Sequence, residues 1–545
     1  MPTTSRHQNR VLPIIWWLVA AGAFALVIVI RIRLLGMPLE RDEGEYAYAG
    51  QLILQGVPPY TFAYNMKFPG TYTAYAAIMS VFGQTINGIH AGVLLVNALT
   101  ILLIFLLGRR LVNCVVGLVA ASSYAVLSVS PSVLGLAGHA THFVVLPVLA
   151  GILLLLDASD RYAYARLFAS GALFGVGLVM KQPAIFFIPV GIIYLAWNDV
   201  RRKRAPKDIL LRGLVFGIGA ITPLVLTCLI LWRAGVIDKF WFWTIRYAGQ
   251  YGSILINEIE SGRWPLSQAA QFVASRTMEA IGAGWMLWAL GGLGVIAGFV
   301  KRKSRTITGF LLGLLLFSAL SVAPGLYFRP HYFVMMLPAV SLLAGVAIGE
   351  LSDFLTHRIT ALRFVPVLLL AVALGIPIFR YARIFFEASP DEACRIMYPE
   401  SPFVESVKIG NYLREHSSPK DTIAVLGSEP EIYFYSHRRS ATGYIYTYGL
   451  MEPQTFAQQM QKEMMREIEN ASPEYLVSVP MFDSWLWRPA SDRSIFNWAN
   501  EYAAKNYAAA GFVNITPKGT DYYFEDVPAS VEPLKNYIVI YKRNP

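Results

Sequence analysis

The chain has few charges for its size and almost no cysteine. Only 15% of its 545 residues are Asp, Glu, Lys or Arg, whereas 55% are hydrophobic, a balance far outside that of soluble globular proteins. With a mean hydropathy of +0.47, lipid is the expected solvent for most of the chain. Cys114, Cys228 and Cys394 are the only cysteines, far apart and two of them in apolar runs. They exclude a disulfide framework and a metal-knuckle spacing, and argue against redox chemistry. Internal repeats and low-complexity segments are missing too. The net charge of +11 comes without a long basic tract: basic residues gather in short clusters between apolar runs, where they act as orientation signals and not as a nucleic-acid footprint. The run Val11 to Ile30 follows Arg6 and Arg10 and lacks a small-residue cleavage site, so it reads as a retained first span.

What is present is a series of apolar runs near the roughly 20 residues that cross a bilayer. They lie at 12–34, 88–107, 112–130, 142–157, 166–180, 183–198, 209–232, 281–300, 306–323, 332–349 and 362–379. The stretch Leu167 to Trp197 fits one long helix or two short ones parted at Lys181-Gln182-Pro183. Loop charge requires two crossings, because Arg161 and Arg166 precede it and Arg201, Arg202, Lys203 and Arg204 follow it. Parity then places Arg6/Arg10, Arg109/Arg110, Arg161/Arg166, Arg201 to Lys207, Lys301/Arg302/Lys303/Arg305 and Arg358/Arg363 on one side. The expectation is a multi-pass protein of the inner or plasma membrane with a cytoplasmic N-terminus. Residues 1–380 form a polytopic α-helical membrane domain of about eleven spans, and residues 381–545 form a soluble domain on the opposite, extracytoplasmic side.

The first outward loop is too patterned for a plain connector. Asp42 to Leu54 and Gly70 to Phe82 carry apolar and aromatic residues at helical spacing, as interfacial helices do. The tail alternates strand-like runs (Thr422 to Leu426, Tyr475 to Val479, Tyr537 to Tyr541) with helical ones (Phe403 to Glu415, Gln454 to Asn470, Ile495 to Tyr507), an α/β pattern.

Chemistry concentrates in Glu40-Arg41-Asp42-Glu43-Gly44-Glu45-Tyr46, directly after the first span. Carboxylates at a membrane surface are costly to desolvate and, beside a pocket, bind a cation or take a proton from a hydroxyl; otherwise they complement a helix dipole. Gly56-Val57-Pro58-Pro59-Tyr60 and Lys67-Phe68-Pro69-Gly70-Thr71-Tyr72 follow. The acidic cluster, the PPY step and the KFPG turn together resemble the first extracytoplasmic loop of GT-C glycosyltransferases of the protein-mannosyltransferase superfamily. The nearest likeness is to bacterial lipid A aminoarabinose transferases and lipopolysaccharide galacturonosyltransferases. The resemblance spans about residues 10–380 and is strongest over 40–83.

It implies an inverting glycosyltransferase that moves a hexose or pentose from a polyprenyl-phosphate donor to an extracytoplasmic acceptor: protein, lipid A or another envelope glycan. It also implies Asp42 as general base, with Glu43 as its helper or as a metal or substrate ligand. A departing phosphate needs cations, and Lys67, Lys181 and Arg329 fall where the topology puts the outer face. Lys181, amid apolar residues, is a functional position by default or a snorkelling one. Arg329, in Tyr327-Phe328-Arg329-Pro330-His331-Tyr332, matches the basic residue that the family carries before a Pro-containing helix, or anchors at the interface. His139 and His142 at i, i+3 reach a metal or phosphate, or simply start a helix; relatives hold an acidic residue there. His331 and Arg246 are further substrate or lipid contacts, Arg246 in an aromatic stretch that is either an interface belt or a lid over the polyprenyl chain. Trp485 and Trp487 stack on sugar or fill a core. No ligand set names a metal, so a divalent cation stays open. The rival class is a flippase or transporter of lipid-linked sugars, but its usual inverted repeats and midplane charges are not visible.

Overall fold

The computed structural model describes residues 4–157, 163–300, 305–516, 519–525 and 536–545. Arg161, Lys301, Arg302 and Lys303, which the charge argument uses, lie outside the described residues, as do the side chains of Arg6 and Arg10. The chain forms two compact units, and neither is continuous in sequence. One contains Met1–Leu35, His90–Cys228 and Trp264–Ser389; the other contains Gly36–Ile89, Leu229–Arg263 and Pro390–Pro545.

The first unit is helical. Among the described residues, eight helices are long and apolar enough to cross a membrane, and three shorter apolar helices, Cys114–Leu127, Ala140–Leu156 and Val365–Arg380, accompany them. Each answers one apolar run of the sequence, so the protein is a multi-pass membrane protein. The disputed stretch divides as charge requires, into Ala163–Met180 and Gln182–Arg201. Lys181 is extended between them (φ −157°) and Pro183 lies at the start of a short 3₁₀ turn, Gln182–Phe186. Proline lacks an amide hydrogen and disfavours helix at the preceding residue, which ends the first helix.

Small residues bring the helices close: a Cβ on Gly294 would run into the backbone carbonyl of Leu343. Buried charge is satisfied locally. Arg31, 5% exposed, donates to the carbonyls of Ser128 at 3.1 Å and Gly135 at 2.9 Å. Asp199, fully buried, pairs with Arg204 at 3.0 Å and Arg212 at 2.8 Å. Charges this deep persist only when paired.

The second unit is built on a six-stranded sheet. Its strands are β1 (Thr422–Leu426), β2 (Arg439–Ser440), β3 (Tyr475–Ser478), β4 (Tyr507–Thr516), β5 (Gly519–Phe524) and β6 (Asn536–Arg543). The spatial order is β2-β1-β3-β6-β4-β5, with β1 parallel to β2 and β3, and β6 antiparallel to both β3 and β4. Helix Glu431–Ser436, between β1 and β2, and helix Ala457–Ala471, between β2 and β3, supply the crossovers that parallel strands need. The first-loop helices Arg41–Leu54 and Gly70–Phe82 belong to this same unit. What covers Arg41–Leu54 is largely protein: a Cβ at Gly44 would sit 2.7 Å from the amide nitrogen of Glu431, and one at Gly50 would sit 2.9 Å from that of Ala76. Glycine lets the helix lie flat against both neighbours.

Candidate active site

The helix Arg41–Leu54 begins in a capping box. Glu40 accepts the amide of Glu43 at 2.9 Å, and the Glu43 carboxylate reaches back to the Glu40 amide at 3.4 Å. Acidic side chains here also complement the positive end of the helix dipole. Glu43 is fully buried in that role.

Asp42, in the first turn, points elsewhere. The Lys67 ammonium stands 2.8 Å from Asp42 Oδ1 and 2.6 Å from Glu45 Oε2. Asp42 and Glu45, one helical turn apart, share it as i, i+3 neighbours do. The ring of Tyr46 lies 4.6 Å from the ammonium and that of Tyr446, from the tail, 5.6 Å. The Tyr72 hydroxyl donates to the second Glu45 oxygen. The backbone that carries Lys67 is fixed by the PPY step: Tyr60 takes a left-handed φ of 64°, is fully buried, and donates its hydroxyl to the Lys67 carbonyl at 2.7 Å.

Burial pushes the Glu45 carboxyl up, and the Lys67 ammonium pulls it back only part of the way. Burial also works against the charge of Lys67, but the Asp42 and Glu45 carboxylates outweigh it and hold the ammonium well above its ordinary value. The result is a carboxylate pair with a built-in counter-ion, in which the Asp42 side chain keeps 15% exposure and that of Glu45 only 1%.

Behind this helix the tail carries a second acidic pair, Glu429 and Glu431, both fully buried. Burial, and then the charge of Glu429, pushes the Glu431 carboxyl up to about 8. An unfolded chain ionises such a group near 4.5, so stability falls as pH rises from there to about 8. Glu431→Gln, neutral throughout, should match the wild type near pH 5 and melt several degrees higher at pH 8. Thermal unfolding across that range checks this, and parallel curves for the two proteins would refute it.

In the membrane unit a single turn collects three of the expected residues. Pro330–Met335 is a 3₁₀ turn. The His331 ring stacks on that of His139 at 4.1 Å and 11°, and the neighbouring Tyr332 receives the Lys181 ammonium 3.9 Å from its ring centre. His139 immediately precedes the helix Ala140–Leu156, and His142 lies in its first turn; both are 1% exposed. Arg329 precedes the turn and lies 5.7 Å from the Tyr327 ring.

Arg246 lies on a π-helical segment, Phe242–Tyr247, in the other unit, with its guanidinium 5.7 Å from the ring of Phe456. Trp243 of the same segment stacks on Tyr64. Of the two tail tryptophans, Trp485 is a core residue, 2% exposed and donating to the Val479 carbonyl at 2.9 Å.

Glu45, Tyr72 and Tyr446 were not singled out from the sequence. Glu45 had a signal, its one-turn spacing from Asp42; Tyr446 had none.

Residues 68–227 match the family of dolichyl-phosphate-mannose-protein mannosyltransferases. No curated protein matches the chain significantly by sequence. Among solved structures, the archaeal oligosaccharyltransferase AglB from Archaeoglobus fulgidus, in complex with an inhibitory peptide and a dolichol-phosphate, superposes with a TM-score of 0.55. That match has 13% identity and covers 94% of this chain and 75% of that one. The same archaeal enzyme in complex with Zn and sulfate gives 0.55 at 14% identity, over 94% and 74% of the two chains. ArnT from Cupriavidus metallidurans, bound to undecaprenyl phosphate, gives 0.51 at 15% identity over 96% of this chain and 97% of that one. The fold is therefore that of the GT-C glycosyltransferases, a polytopic helical membrane unit with a soluble domain. The sequence match begins at Phe68, in the later part of the first loop, and runs over the spans that follow it.

Proposed function

We propose that the protein is an inverting glycosyltransferase that moves a sugar from a polyprenyl-phosphate donor to an extracytoplasmic acceptor, whether protein, lipid A or another envelope glycan. The observation that carries this reading is the Lys67 ammonium held between Asp42 and Glu45 at the start of the first-loop helix of a GT-C fold. It gives Asp42 a fixed position, a charged partner and partial access, which a general base requires. Asp42 removes the acceptor proton as the acceptor attacks the anomeric carbon, and the bond from that carbon to the phosphate oxygen breaks on the opposite face. Lys181 and Arg329 neutralise the departing phosphate. Polyprenyl phosphates as donor lipids are supported by the dolichol-phosphate and undecaprenyl phosphate bound to AglB and ArnT. The orientation that fits is a cytoplasmic N-terminus with the Pro390–Pro545 segment outside, because basic residues such as Arg109, Arg110 and Arg201 end alternate spans.

A divalent cation fits one donor group better than the other. Between Asp42 and Glu45 the place of a cation is already filled by the Lys67 ammonium, whereas the paired imidazoles of His139 and His331 are ligands of the kind zinc takes. Bound there, a metal would supply positive charge for phosphate oxygens; Asp42 performs the proton transfer without it.

The test is transfer by purified protein in lipid, offering radiolabelled polyprenyl-phosphate sugars one at a time with membrane extract as acceptor. Label should leave one donor only and enter an acceptor. Movement of donor across the bilayer without transfer would replace the enzyme by a flippase. In the same assay Lys181→Ala should weaken donor affinity by about tenfold to a hundredfold, the worth of one charge-assisted contact of ~1.5–3 kcal/mol. An unchanged affinity would make Lys181 a snorkelling residue stacked on Tyr332.

A further inference from the structure

We infer that the C-terminal domain is a positioning part of the catalytic apparatus, acting on Asp42 through the buried pair Arg41–Glu429. The inference rests on the reading of Asp42 as the base. Arg41, the residue before Asp42, turns away from it into the tail and is 8% exposed. Its Nε donates to the Ser428 carbonyl at 2.6 Å, and its Nη2 meets Glu429 Oε1 at 3.2 Å. The rings of Phe403 and Tyr448 each lie 5.4 Å from the guanidinium carbon.

The receiving groups are themselves fixed. Ser484 donates its hydroxyl to the second Glu429 oxygen at 2.7 Å and accepts the Ser428 amide at 2.9 Å. Ser428 and Glu429 sit on the turn that leaves β1, and Ser484 on the short helix Phe482–Trp485 that follows β3, so the grip on Arg41 is tied to the sheet. Two further bonds run between the same partners: the Leu39 amide donates to the Tyr435 hydroxyl at 2.9 Å, and the Ser440 amide donates to the Tyr48 hydroxyl at 2.8 Å.

A buried ion pair is a poor device for stability alone, because apolar side chains of similar volume hold an interface as well or better. What it supplies is direction. A guanidinium bonded through two nitrogens, to a carbonyl and a carboxylate, sets the rotation of the helix about its own axis. Asp42 is the next residue on that helix, so its carboxylate follows any turn Arg41 makes. A displacement of about 1 Å at a reacting group costs on the order of a hundredfold in rate. The tail therefore contributes to the rate without touching substrate, and Glu429 and Arg41 are positioning residues.

The experiment uses full-length protein in lipid carrying Arg41→Met together with Glu429→Met, which removes both charges and leaves neither unpaired. Expected are a melting temperature at or above that of the wild type, kcat lowered by about tenfold to a hundredfold, and a donor KM within about twofold of wild type. A wild-type kcat would overturn the positioning role and make the pair structural only. Should the double variant fail to fold, Glu429→Gln decides on the same terms: lower kcat at unchanged KM supports the role, and unchanged kcat overturns it. Asp42→Asn is measured alongside. If it stays active, the base assignment and this inference fall together. If it is inactive while the double variant turns over normally, only the positioning role falls.

Discussion

Asp42→Asn should lower kcat by about a hundredfold to ten-thousandfold, the range that a positioned general base contributes, with little change in donor KM or melting temperature. Asparagine keeps the shape of the side chain and one carbonyl oxygen, so the contact with the Lys67 ammonium, 2.8 Å in the wild type, survives. Lys67 also keeps its second carboxylate, Glu45, at 2.6 Å. Neither the capping box of Glu40 and Glu43 nor the grip on Arg41 involves the Asp42 side chain. The substitution thus removes basicity and little else. Single-turnover transfer with a labelled donor is the measurement, because it separates the chemical step from product release. More than a tenth of the wild-type rate would end the assignment of Asp42.

How far the sequence reaches toward this site follows from the range of each signal. Apolar runs are local, so every expected span has its helix, and the break at Lys181-Gln182-Pro183 could be chosen from loop charge alone. The tail runs that read as strands, Thr422 to Leu426, Tyr475 to Val479 and Tyr537 to Tyr541, lie in the strands Thr422–Leu426, Tyr475–Ser478 and Asn536–Arg543 to within a residue. Tyr507–Thr516 also formed one, although Ala508, Ala509, Ala510 and Gly511 carry no strand preference; its pairing with β5 and β6 overrides them.

The acidic start of the first-loop helix stands out in the sequence, yet which group each acid meets does not. Glu43 reads as the natural companion of Asp42 because it is adjacent, but adjacency puts it about a quarter-turn away on a helix, where it closes the capping box. Glu45, one turn on, shares the cation. The pairing of Arg41 with Glu429 joins residues 388 positions apart, and no local pattern announces it. For the same reason the first loop reads as a feature of the membrane domain, whereas its contacts group it with the tail.

Lys67→Met should cost about a hundredfold at neutral pH, and the shape of its pH profile discriminates between two roles for Lys67. The sequence suggested a cation for the donor phosphate; the structure bonds it to Asp42 and Glu45. Methionine leaves two carboxylates close together with no counter-charge, one of them with a side chain only 1% exposed. An uncompensated buried charge costs about 3–5 kcal/mol, so the pair takes up a proton to avoid it. Losing a cation within hydrogen-bonding distance raises the pH at which such carboxyls titrate. A carboxyl that titrates higher is protonated further up the pH scale, and a protonated base accepts nothing. The acid limb of the pH–rate profile should therefore move up, with the loss greatest on the acid side and partly recovered toward alkaline pH, while donor KM stays close to wild type. If Lys67 instead met the donor phosphate, its removal would raise donor KM by a similar factor at every pH and leave the acid limb where it was. Measuring kcat and KM separately across pH for this one variant therefore decides whether Lys67 serves the base or the leaving group.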